Sequence, residues 1–406
     1  MNSVTKVASS EHYATLASPL KVGKITISNR LVAQPMERSA GTESGDLTPD
    51  LVDEYTALAK GHWGVLHLEA MTVIPTYKSR KGQLVISAAT RDSVAALLGK
   101  MRAIAPDTMY VVQLTVPGVV AGEGLPRVTI IPAIHEADPA IKLLTDTEID
   151  DLLESFKRAI DMTIEAGVDG IDIKACHGYL GVEFLRPQNM RAGKYGGSFD
   201  NRTRFHKELV VHARQAARSA GKERFLLGSR ISVSECIAGG VGTAGPGEYI
   251  EDLSEVKSFV TMLCDWGANF VNITAGIPAT QPEVTRPSKA VPWGIFNHFR
   301  LTKAIKDHLA AVGKRPAVIG SAYTMLGKEL PRIAAKNIAD GAVDLIGLGR
   351  QVLADPEYPA KLLAGKEDKI HRCTGCGSCS QLLRQQRHVG CTTYNESFKN
   401  VFKSQV

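Results

Sequence analysis

Long hydrophobic runs are missing from this sequence, although 44% of its residues are apolar. No stretch approaches the roughly 20 apolar residues that a membrane-spanning helix needs. The first residues, MNSVTKVASSEHY, lack an apolar core followed by a cleavage site, so we expect no secretory signal. These absences predict a soluble, cytoplasmic protein without a membrane partner.

A strong excess of charge of one sign is also missing. Lys and Arg total 48 and Asp and Glu total 42, which leaves a net charge of +6. No dense basic tract interleaved with aromatic residues is present, so we expect no nucleic-acid partner. A slightly basic surface would favour an acidic redox partner or an anionic substrate, but a well-mixed solvated surface is the simpler interpretation.

Short apolar runs alternate with amphipathic segments along the 406 residues. Near-continuous runs rich in Val and Ile are typical of parallel strands buried on both faces. Eight such runs are present: Arg30–Met36, Val65–Val73, Met109–Thr115, Gly170–Cys176, Phe225–Ser232, Phe270–Gly276, Pro316–Ala322 and Val343–Arg350. Eight strand-then-helix units predict an α/β fold closed as a (β/α)8 TIM barrel. The pattern alone also allows seven or nine units in an open sheet.

Helical patterns fill the gaps between the apolar runs. The clearest are Glu148–Ala166, Asn201–Ala220, Glu251–Ala268, Phe296–Val312 and Leu330–Ala339. Thr145 and Glu148 have the spacing of a capping box at the start of the first of these. The segment KVGKITISN predicts an N-terminal hairpin that closes the bottom of the barrel. We expect the barrel to occupy residues 1–365 and a C-terminal extension to occupy residues 366–406.

Four of the seven cysteines form the pattern C-x2-C-x2-C-x11-C within this extension: Cys373, Cys376, Cys379 and Cys391. Three thiolates on one tight loop and a fourth just beyond it are typical of an iron–sulfur cluster, which passes single electrons. Zinc is the alternative, although structural zinc sites usually pair two C-x2-C knuckles. We interpret the other three as small buried side chains: Cys176, Cys236 and Cys264.

Polar side chains lie at the ends of several predicted strands, where (β/α)8 barrels carry their chemistry. Lys174, His177 and Tyr179 follow the fourth run. A Lys and a His can donate hydrogen bonds to one substrate oxygen, and a Tyr can protonate a neighbouring carbon. A structural His and a Tyr that only packs are the alternative. Three proton donors within six residues favour a catalytic role.

Arg230 closes the fifth run in GSRIS, where a cation would neutralise negative charge on a bound ring. An internal ion pair with a carboxylate explains it almost as well. The seventh and eighth runs end in GSAYT and GLGR, and such barrels bind phosphate there through backbone N–H groups. Arg350 would add a bidentate contact. Tight packing of glycine at loop starts is the alternative.

These motifs together resemble the Old Yellow Enzyme family of FMN-containing oxidoreductases. The strongest block is HGYLGVEFL followed by NMRAGKYGGSFDNRTRF, flanked by SPLKVGKITISNRLV and GLGRQVLADPEYPAK. The resemblance runs from about Ser18 to Asn395. The block CTGCGSC narrows it to the iron–sulfur branch, similar to the FMN and [4Fe-4S] part of 2,4-dienoyl-CoA reductase and trimethylamine dehydrogenase.

The resemblance implies FMN and a [4Fe-4S] cluster as cofactors, and it assigns roles residue by residue. For catalysis it implies Tyr179 as proton donor and His177 with Lys174 as the pair that clamps the substrate. For the flavin it implies Gln113 at the ring amide and Arg230 at the N1/O2 edge. The remaining flavin positions are the ring-lining Pro35, Met36 and Ala70 and the phosphate-binding Ser321, Ala322, Gly349 and Arg350. The cluster ligands would be Cys373, Cys376, Cys379 and Cys391.

The sequence departs from the family pattern at several places, among them the QL that normally continues into a His-x-Gly-Arg loop and here reads QLTVPG. Lys174 stands where the first clamp residue is usually His, and Glu37 stands where Cys or Thr often lies beside the flavin. The segment GIPATQPEV after the sixth run lacks the His of the dienoyl-CoA reductases. A cation at Lys174 favours a carboxylate or a strongly polarised acyl group.

The cluster-bearing relatives continue into domains that bind ADP or FAD and NAD(P)H, whereas this sequence ends fifteen residues after Cys391. We therefore expect NAD(P)H to act only as an indirect reductant. Single electrons would come from a ferredoxin, an electron-transfer flavoprotein or an FAD/NAD(P)H-binding subunit. A homo- or hetero-oligomer is expected.

The resemblance implies an ene-reductase that passes a hydride from FMN to the C=C bond of an unsaturated carboxylate, acyl-CoA or carbonyl compound. Two alternatives remain. One is an amine dehydrogenase that sends electrons out through the cluster, and the other is a subunit that only relays electrons.

Overall fold

The computed structural model of the chain describes residues 11–288 and 290–403. Its strands are β1 (Leu20–Val22), β2 (Ile25–Ile27), β3 (Leu31–Ala33), β4 (Val65–Thr72), β5 (Met109–Thr115), β6 (Val128–Thr129), β7 (Lys142–Leu143), β8 (Gly170–Ile173), β9 (Leu226–Ser232), β10 (Phe270–Thr274), β11 (Ala317–Gly320) and β12 (Leu345–Leu348). Eight of them pair in parallel and close into a barrel in the order β10-β11-β12-β3-β4-β5-β8-β9. Each predicted run contains one barrel strand, so the predicted (β/α)8 barrel is confirmed.

Helices surround the barrel and continue beyond it. They are α1 (11–17), α2 (Pro49–Ala59), α3 (Arg91–Ile104), α4 (Pro132–Ala137), α5 (Asp146–Glu165), α6 (Leu180–Leu185), α7 (Phe199–Ser219), α8 (Ser254–Asp265), α9 (Pro282–Thr285), α10 (Trp293–Ala311), α11 (Leu330–Ala339), α12 (Arg350–Ala354), α13 (Tyr358–Leu363), α14 (Ser378–Arg384) and α15 (Glu396–Lys403), with 3₁₀ helices at Gly118–Val120, Tyr323–Glu329 and Glu367–Lys369. The five predicted helices correspond to α5, α7, α8, α10 and α11. In the described ranges, none of these helices combines the length and apolar character that crossing a bilayer requires.

Local sequence fixes where α5 begins. The Thr145 hydroxyl accepts a hydrogen bond from the Glu148 N–H, and the Glu148 carboxylate accepts one from the Thr145 N–H. The predicted capping box is therefore confirmed, and it satisfies two backbone donors that a helix start leaves without partners. Behind it, apolar residues at helical spacing pack against the barrel, among them Ile149, Leu152 and Phe156.

The hairpin β1–β2 closes the N-terminal end of the barrel. The two strands pair antiparallel around Gly23, whose φ of +57° is the left-handed turn conformation that glycine adopts without strain. Ile25 and Ile27 are buried in one cluster with residues from the bases of the barrel strands, including Val65 and Phe270. The predicted position of the hairpin is confirmed, and the functional opening is left to the opposite end.

The C-terminal segment packs over that opposite end. Val389 N–H donates to the Arg38 carbonyl at 2.8 Å, next to the end of β3. Arg80, in the loop after β4, donates from Nε to the Leu383 carbonyl of α14 at 3.1 Å. The Gln351 side chain of α12 accepts from the Cys373 N–H at 3.1 Å. The cysteine-bearing segment is thus held against the loops that surround the barrel mouth. The expected division at residue 365 remains a prediction.

Candidate active site

A cavity of about 400 Å³ opens at the C-terminal end of the barrel. Most of the predicted site residues line it: Pro35, Met36, Gln113, Lys174, His177, Tyr179, Arg230, Ser321, Ala322, Gly349 and Arg350. Among the predicted flavin and substrate residues, Ala70 is the exception, because it is buried in β4 with its carbonyl accepting from Gln83 and is not among the lining residues. Residues at the ends of seven barrel strands thus converge on one concave site, as ligand sites in such barrels do.

Arg230 and Gln113 meet on a buried carboxylate at the base of the cavity. Asp172 accepts from the Arg230 backbone N–H at 2.7 Å and from Gln113 Nε2 at 2.8 Å. Burial raises the pKa of Asp172 to about 6. The Arg230 guanidinium forms no ion pair with Asp172, and its buried Nε has no hydrogen-bond partner in the described part of the chain. A buried donor without a partner is costly, so this position fits a ligand that carries an acceptor.

Two further polar side chains lie in the same layer. Gln34 and Asn272 exchange both amide hydrogen bonds, at 2.9 and 2.8 Å. A Cβ atom on Gly347 would lie 2.0 Å from Gln34 Nε2, so only glycine allows this pair to fit. The pair satisfies its own hydrogen bonds and leaves Gln113 and Arg230 to face the ligand.

The ends of β11 and β12 suit a phosphate. Ala322, at φ +76°, precedes the 3₁₀ helix Tyr323–Glu329, and Gly349 precedes α12. Backbone N–H groups at such starts have no partner inside the helix and attract anions. Arg350 binds the Pro287 carbonyl at 2.8 Å, not a carboxylate. The residues predicted as a phosphate cradle are therefore brought together at one side of the cavity.

Lys174 and Tyr179 contact each other directly. The Lys174 ammonium lies 3.3 Å from the centre of the Tyr179 ring, which is a cation–π contact. The Tyr179 hydroxyl donates to Glu37 Oε2 at 3.2 Å. Burial lowers the pKa of Lys174 to about 8. Burial and then the Glu37 carboxylate raise the pKa of the Tyr179 phenol above its ordinary value, so the phenol keeps its proton.

His177 is held in an unusual backbone conformation beside this pair. Its φ is +64°, and its N–H donates to the Ser232 hydroxyl at 3.0 Å. Its Nε2 lies 3.1 Å from the Thr274 hydroxyl, which lies 3.5 Å from Nε2 of His298. Burial, followed by Arg230, lowers the pKa of His177, so the ring is neutral at pH 7. A neutral imidazole fixed by Thr274 can hold one hydrogen bond to a ligand.

Sequence reasoning missed His298. It belongs to α10, not to a strand end, and returns over the mouth only because the helix packs there. Its Nδ1 contacts the Gly294 carbonyl at 2.7 Å, one helical turn away. No His directly follows the sixth strand, but the fold supplies an imidazole from the following helix.

Cationic side chains surround the upper cavity. Four arginines line it in addition to Arg230 and Lys174: Arg80, Arg286, Arg350 and Arg384. Glu37 is the single acidic residue among the described residues of the lining. None of the four arginines forms an ion pair with a carboxylate within residues 11–288 and 290–403. A low-dielectric cleft with such an excess of positive charge favours anionic ligands.

The four predicted cluster cysteines lie on and around α14, in the C-terminal segment that packs over the barrel mouth. All four thiols are free, and Cys379 of α14 lines the cavity. Burial raises the pKa of Cys373 and the pKa of Cys379. The nearby Cys391 raises the pKa of Cys373 further. No three His, Cys, Asp or Glu side chains of the described chain converge as a ready metal site. The cluster and its four ligands therefore remain a prediction.

Comparison with known proteins identifies the relatives of this chain. Residues 15–369 match the NADH:flavin oxidoreductase / NADH oxidase family. An NADH oxidase from Thermoanaerobacter brockii is 29% identical over 394 residues, covering 94% of this chain and 56% of that protein. Cinnamate reductase from Clostridium sporogenes is 25% identical, covering 94% and 57%. Dimethylamine dehydrogenase from a Hyphomicrobium species is 27% identical, covering 92% and 49%. The chain thus spans about half the length of these curated relatives.

Solved structures share the fold. A complex of 2-naphthoyl-CoA reductase with 2-naphthoyl-CoA superposes with a TM-score of 0.78 at 21% identity, covering 96% of this chain and 58% of that one. Morphinone reductase superposes with a TM-score of 0.65 at 19% identity, covering 86% and 91%. At this identity the likeness establishes the barrel and not the reaction.

Proposed function

Because this chain belongs to the NADH:flavin oxidoreductase / NADH oxidase family, we propose that it is an FMN-dependent ene-reductase for anionic substrates. The substrate would be an α,β-unsaturated carboxylate or acyl thioester. One observation carries this proposal: a single cavity is lined both by the residues suited to a flavin and by Lys174, His177 and Tyr179.

The residues of the cavity divide into a cofactor side and a substrate side. Gln113, Arg230 and Met36 would hold the flavin ring. The buried Arg230 Nε, which no described residue accepts from, supports this assignment. Ser321, Ala322, Gly349 and Arg350 would hold its phosphate. When bound, FMN supplies a hydride for the β-carbon of the substrate.

The substrate side provides charge and a proton. Lys174 and His177 would bind the carboxylate or carbonyl oxygen and stabilise the negative charge that develops there. Tyr179 would give its proton to the α-carbon. Its raised pKa suits an acid that must stay protonated until the substrate carbon becomes basic.

Electrons would reach this site one at a time through a [4Fe-4S] cluster held by Cys373, Cys376, Cys379 and Cys391. In support, Cys379 belongs to the wall of the proposed flavin cavity, so the path between cluster and flavin would be short. The donor would be a ferredoxin, an electron-transfer flavoprotein or a unit that binds FAD and NAD(P)H. NAD(P)H would then act as an indirect reductant.

Oxidation of an amine is the second candidate, since dimethylamine dehydrogenase is among the relatives. The charge of the cavity argues against it, because Lys174 and the lining arginines would repel an ammonium group. Aromatic cages usually bind such cations, and Tyr179 is the single Phe, Tyr or Trp among the described lining residues. Cinnamate reductase and 2-naphthoyl-CoA reductase are named for the reduction of a conjugated acid and a conjugated thioester. Substrates of these two kinds suit the cationic cavity better than an amine does.

An anaerobic half-reaction tests the proposal. The purified protein is reconstituted with FMN, iron and sulfide, and its flavin is reduced with dithionite. Separate samples are then mixed with an enoate, with an enoyl thioester or with buffer alone. Reoxidation by an enoate or enoyl thioester is expected. Reduction of the oxidised flavin by dimethylamine, with no reoxidation by any unsaturated acid or thioester, would establish the second candidate instead.

A further inference from the structure

Three of the arginines that line the cavity have no part in the reaction described so far: Arg80, Arg286 and Arg384. They come from three distant segments, namely the loop after β4, the end of α9 and the end of α14. In the part of the chain that the structure describes, none of the three pairs with a carboxylate. Because a guanidinium keeps its charge at every ordinary pH, three such groups on one cavity favour an anion.

Two hydrogen bonds hold these segments against one another. Arg80 Nε donates at 3.1 Å to the carbonyl of the residue before Arg384. Arg350 Nη2 donates at 2.8 Å to the carbonyl of the residue after Arg286. Burial and then Arg384 lower the pKa of Arg286, and Arg350 and Arg80 lower it further. The arginines are therefore close enough to repel one another, and an anion among them would relieve this repulsion.

Two of these side chains also keep their hydrogen-bond donors free. Arg80 and Arg350 use part of theirs on backbone carbonyls. The guanidinium groups of Arg286 and Arg384, in contrast, donate to no residue within 11–288 or 290–403. A guanidinium has five N–H donors in a planar fork that matches a carboxylate with two parallel hydrogen bonds. Arg286 and Arg384 thus present two open forks at the cavity.

The open forks lie close to the substrate side of the cavity. Burial, Arg230 and Lys174 lower the pKa of His177, and Arg286 is the next group that lowers it. Lys174 and Arg286 therefore act on the same imidazole from the wall of one cavity of about 400 Å³. A CoA thioester holds its phosphates a whole pantetheine arm away from the C=C bond, so they suit a site further from His177. Two anionic groups on one compact molecule fit this arrangement better.

We propose that Arg286 and Arg384 form a second anion subsite, which selects a compact unsaturated substrate with two carboxylates. The inference rests on the proposed function and names the substrate class of that site. The carboxylate conjugated with the C=C bond faces Lys174 and His177, and the second carboxylate faces the two arginines. Arg350 stays with the FMN phosphate.

Titration of the oxidised holoenzyme with unreactive carboxylates tests the subsite. Benzoate carries one carboxylate, whereas isophthalate and terephthalate carry a second one at two different positions of the same ring. The change in the flavin absorbance spectrum measures each Kd at neutral pH and constant ionic strength. We expect at least one of the two dicarboxylates to bind at least about tenfold more tightly than benzoate. If both bind no more tightly than benzoate to the wild type, the proposal is overturned without any variant.

Variants assign the preference to the two arginines. Arg286→Leu and Arg384→Leu should each abolish most of it and leave the affinity for benzoate nearly as in the wild type. Arg384→Lys keeps the charge but loses the planar fork, so we expect an intermediate preference. Arg332→Leu is the control, since Arg332 is exposed on α11, pairs with Glu329 and lies outside the cavity lining. A preference that persists in both leucine variants contradicts the assignment.

Reoxidation of the dithionite-reduced protein separates this inference from the proposed function. We expect 3-carboxycinnamate or 4-carboxycinnamate to reoxidise the flavin at a lower concentration than cinnamate, with a similar rate at saturation. If cinnamate is as effective as both dicarboxylates, the inference fails and the proposed function stands. If none of the three reoxidises the flavin, although a dicarboxylate binds tightly through Arg286 and Arg384, the proposed function fails and the anion subsite stands.

Discussion

At the residue scale, Tyr179 lies between two opposite charges, with the Lys174 ammonium on its ring face and Glu37 at its hydroxyl. The rule that barrel chemistry gathers at strand ends was enough to predict Lys174, His177 and Tyr179 from the sequence. It was not enough for His298 or Arg286, which come from helical segments that fold back over the mouth. Their place in the site depends on packing between distant segments, which no local pattern encodes.

Tyr179→Phe should slow reoxidation of the reduced flavin by an enoate by about 10²- to 10⁴-fold, because the proton donor is lost while the ring remains. FMN affinity should stay as in the wild type, since Tyr179 is assigned to the substrate side. Stopped-flow absorbance and a flavin fluorescence titration measure the two effects. Unchanged reoxidation would remove Tyr179 from the mechanism.

Binding of a carboxylate should weaken as the pH rises through about 8. Burial lowers the pKa of Lys174 to about 8, so the ammonium is present below that value and is lost above it. Benzoate titrations of the oxidised holoenzyme between about pH 6 and pH 10 should show roughly a tenfold loss of affinity. Lys174→Met should bind benzoate weakly at every pH. A wild-type profile as flat as that of the variant would contradict Lys174 as the anion contact.

Arg230→Leu should weaken FMN binding by at least about tenfold, because it removes the buried donor that has no partner within residues 11–288 and 290–403. Arg315→Leu is a matched control, since Arg315 is exposed and lies at the N-terminal end of the barrel, before β11. Equilibrium dialysis of free FMN measures both. Equal affinity for FMN in the two variants would show that Arg230 has a purely structural role.

At the scale of elements, six of the eight barrel strands end earlier than the apolar runs that predicted them. β8 ends at Ile173 and β12 ends at Leu348, so Lys174 and Gly349 leave the sheet. The apolar pattern continues at Lys174 because this residue is still buried, and its N–H still donates to the Leu114 carbonyl of β5 although the regular strand has ended. Hydrophobicity therefore predicted the number and order of the strands, whereas the points at which they open into the site depend on pairing that only the closed barrel defines.

The capping box of α5 allows a test at this scale. Thr145→Ala should lower the free energy of unfolding by about 1 kcal/mol, because the Glu148 N–H loses its acceptor. Thr145→Ser should retain most of that stability, since the hydroxyl is kept. Urea unfolding followed by circular dichroism compares the three proteins. Equal stability of the alanine variant would show that the cap contributes nothing to the fold.

At the scale of the whole molecule, the hairpin and the C-terminal segment close opposite ends of the barrel. The sequence predicted both as additions to the barrel, and the hairpin contacts confirm its predicted place. It did not predict that α14 would form part of the cavity wall, because contacts such as Arg80 to Leu383 join residues 303 positions apart. Such contacts depend on the closed barrel bringing distant loops together.

The cysteine pattern predicts metal content. Protein purified without oxygen should carry about four iron atoms per chain, and Cys373→Ser should lose most of them. Cys264→Ser is the control, because Cys264 is half-buried in α8, outside the C-terminal segment. Iron, sulfide and zinc assays measure the result. Zinc in place of iron would overturn the electron path through this segment while leaving the flavin cavity intact.

One short helix has a consequence for anyone who redesigns this protein. α14 places Cys379, Leu383 and Arg384 on the same cavity, within seven residues. Leu383 and Cys379 are four positions apart on α14, so a substitution at Leu383 that makes room for a bulkier compound should also change the packing beside the Cys379 thiol. If Cys379 holds the proposed cluster, substrate choice and electron delivery depend on the same helix, and directed evolution of one has to screen for the other in every round.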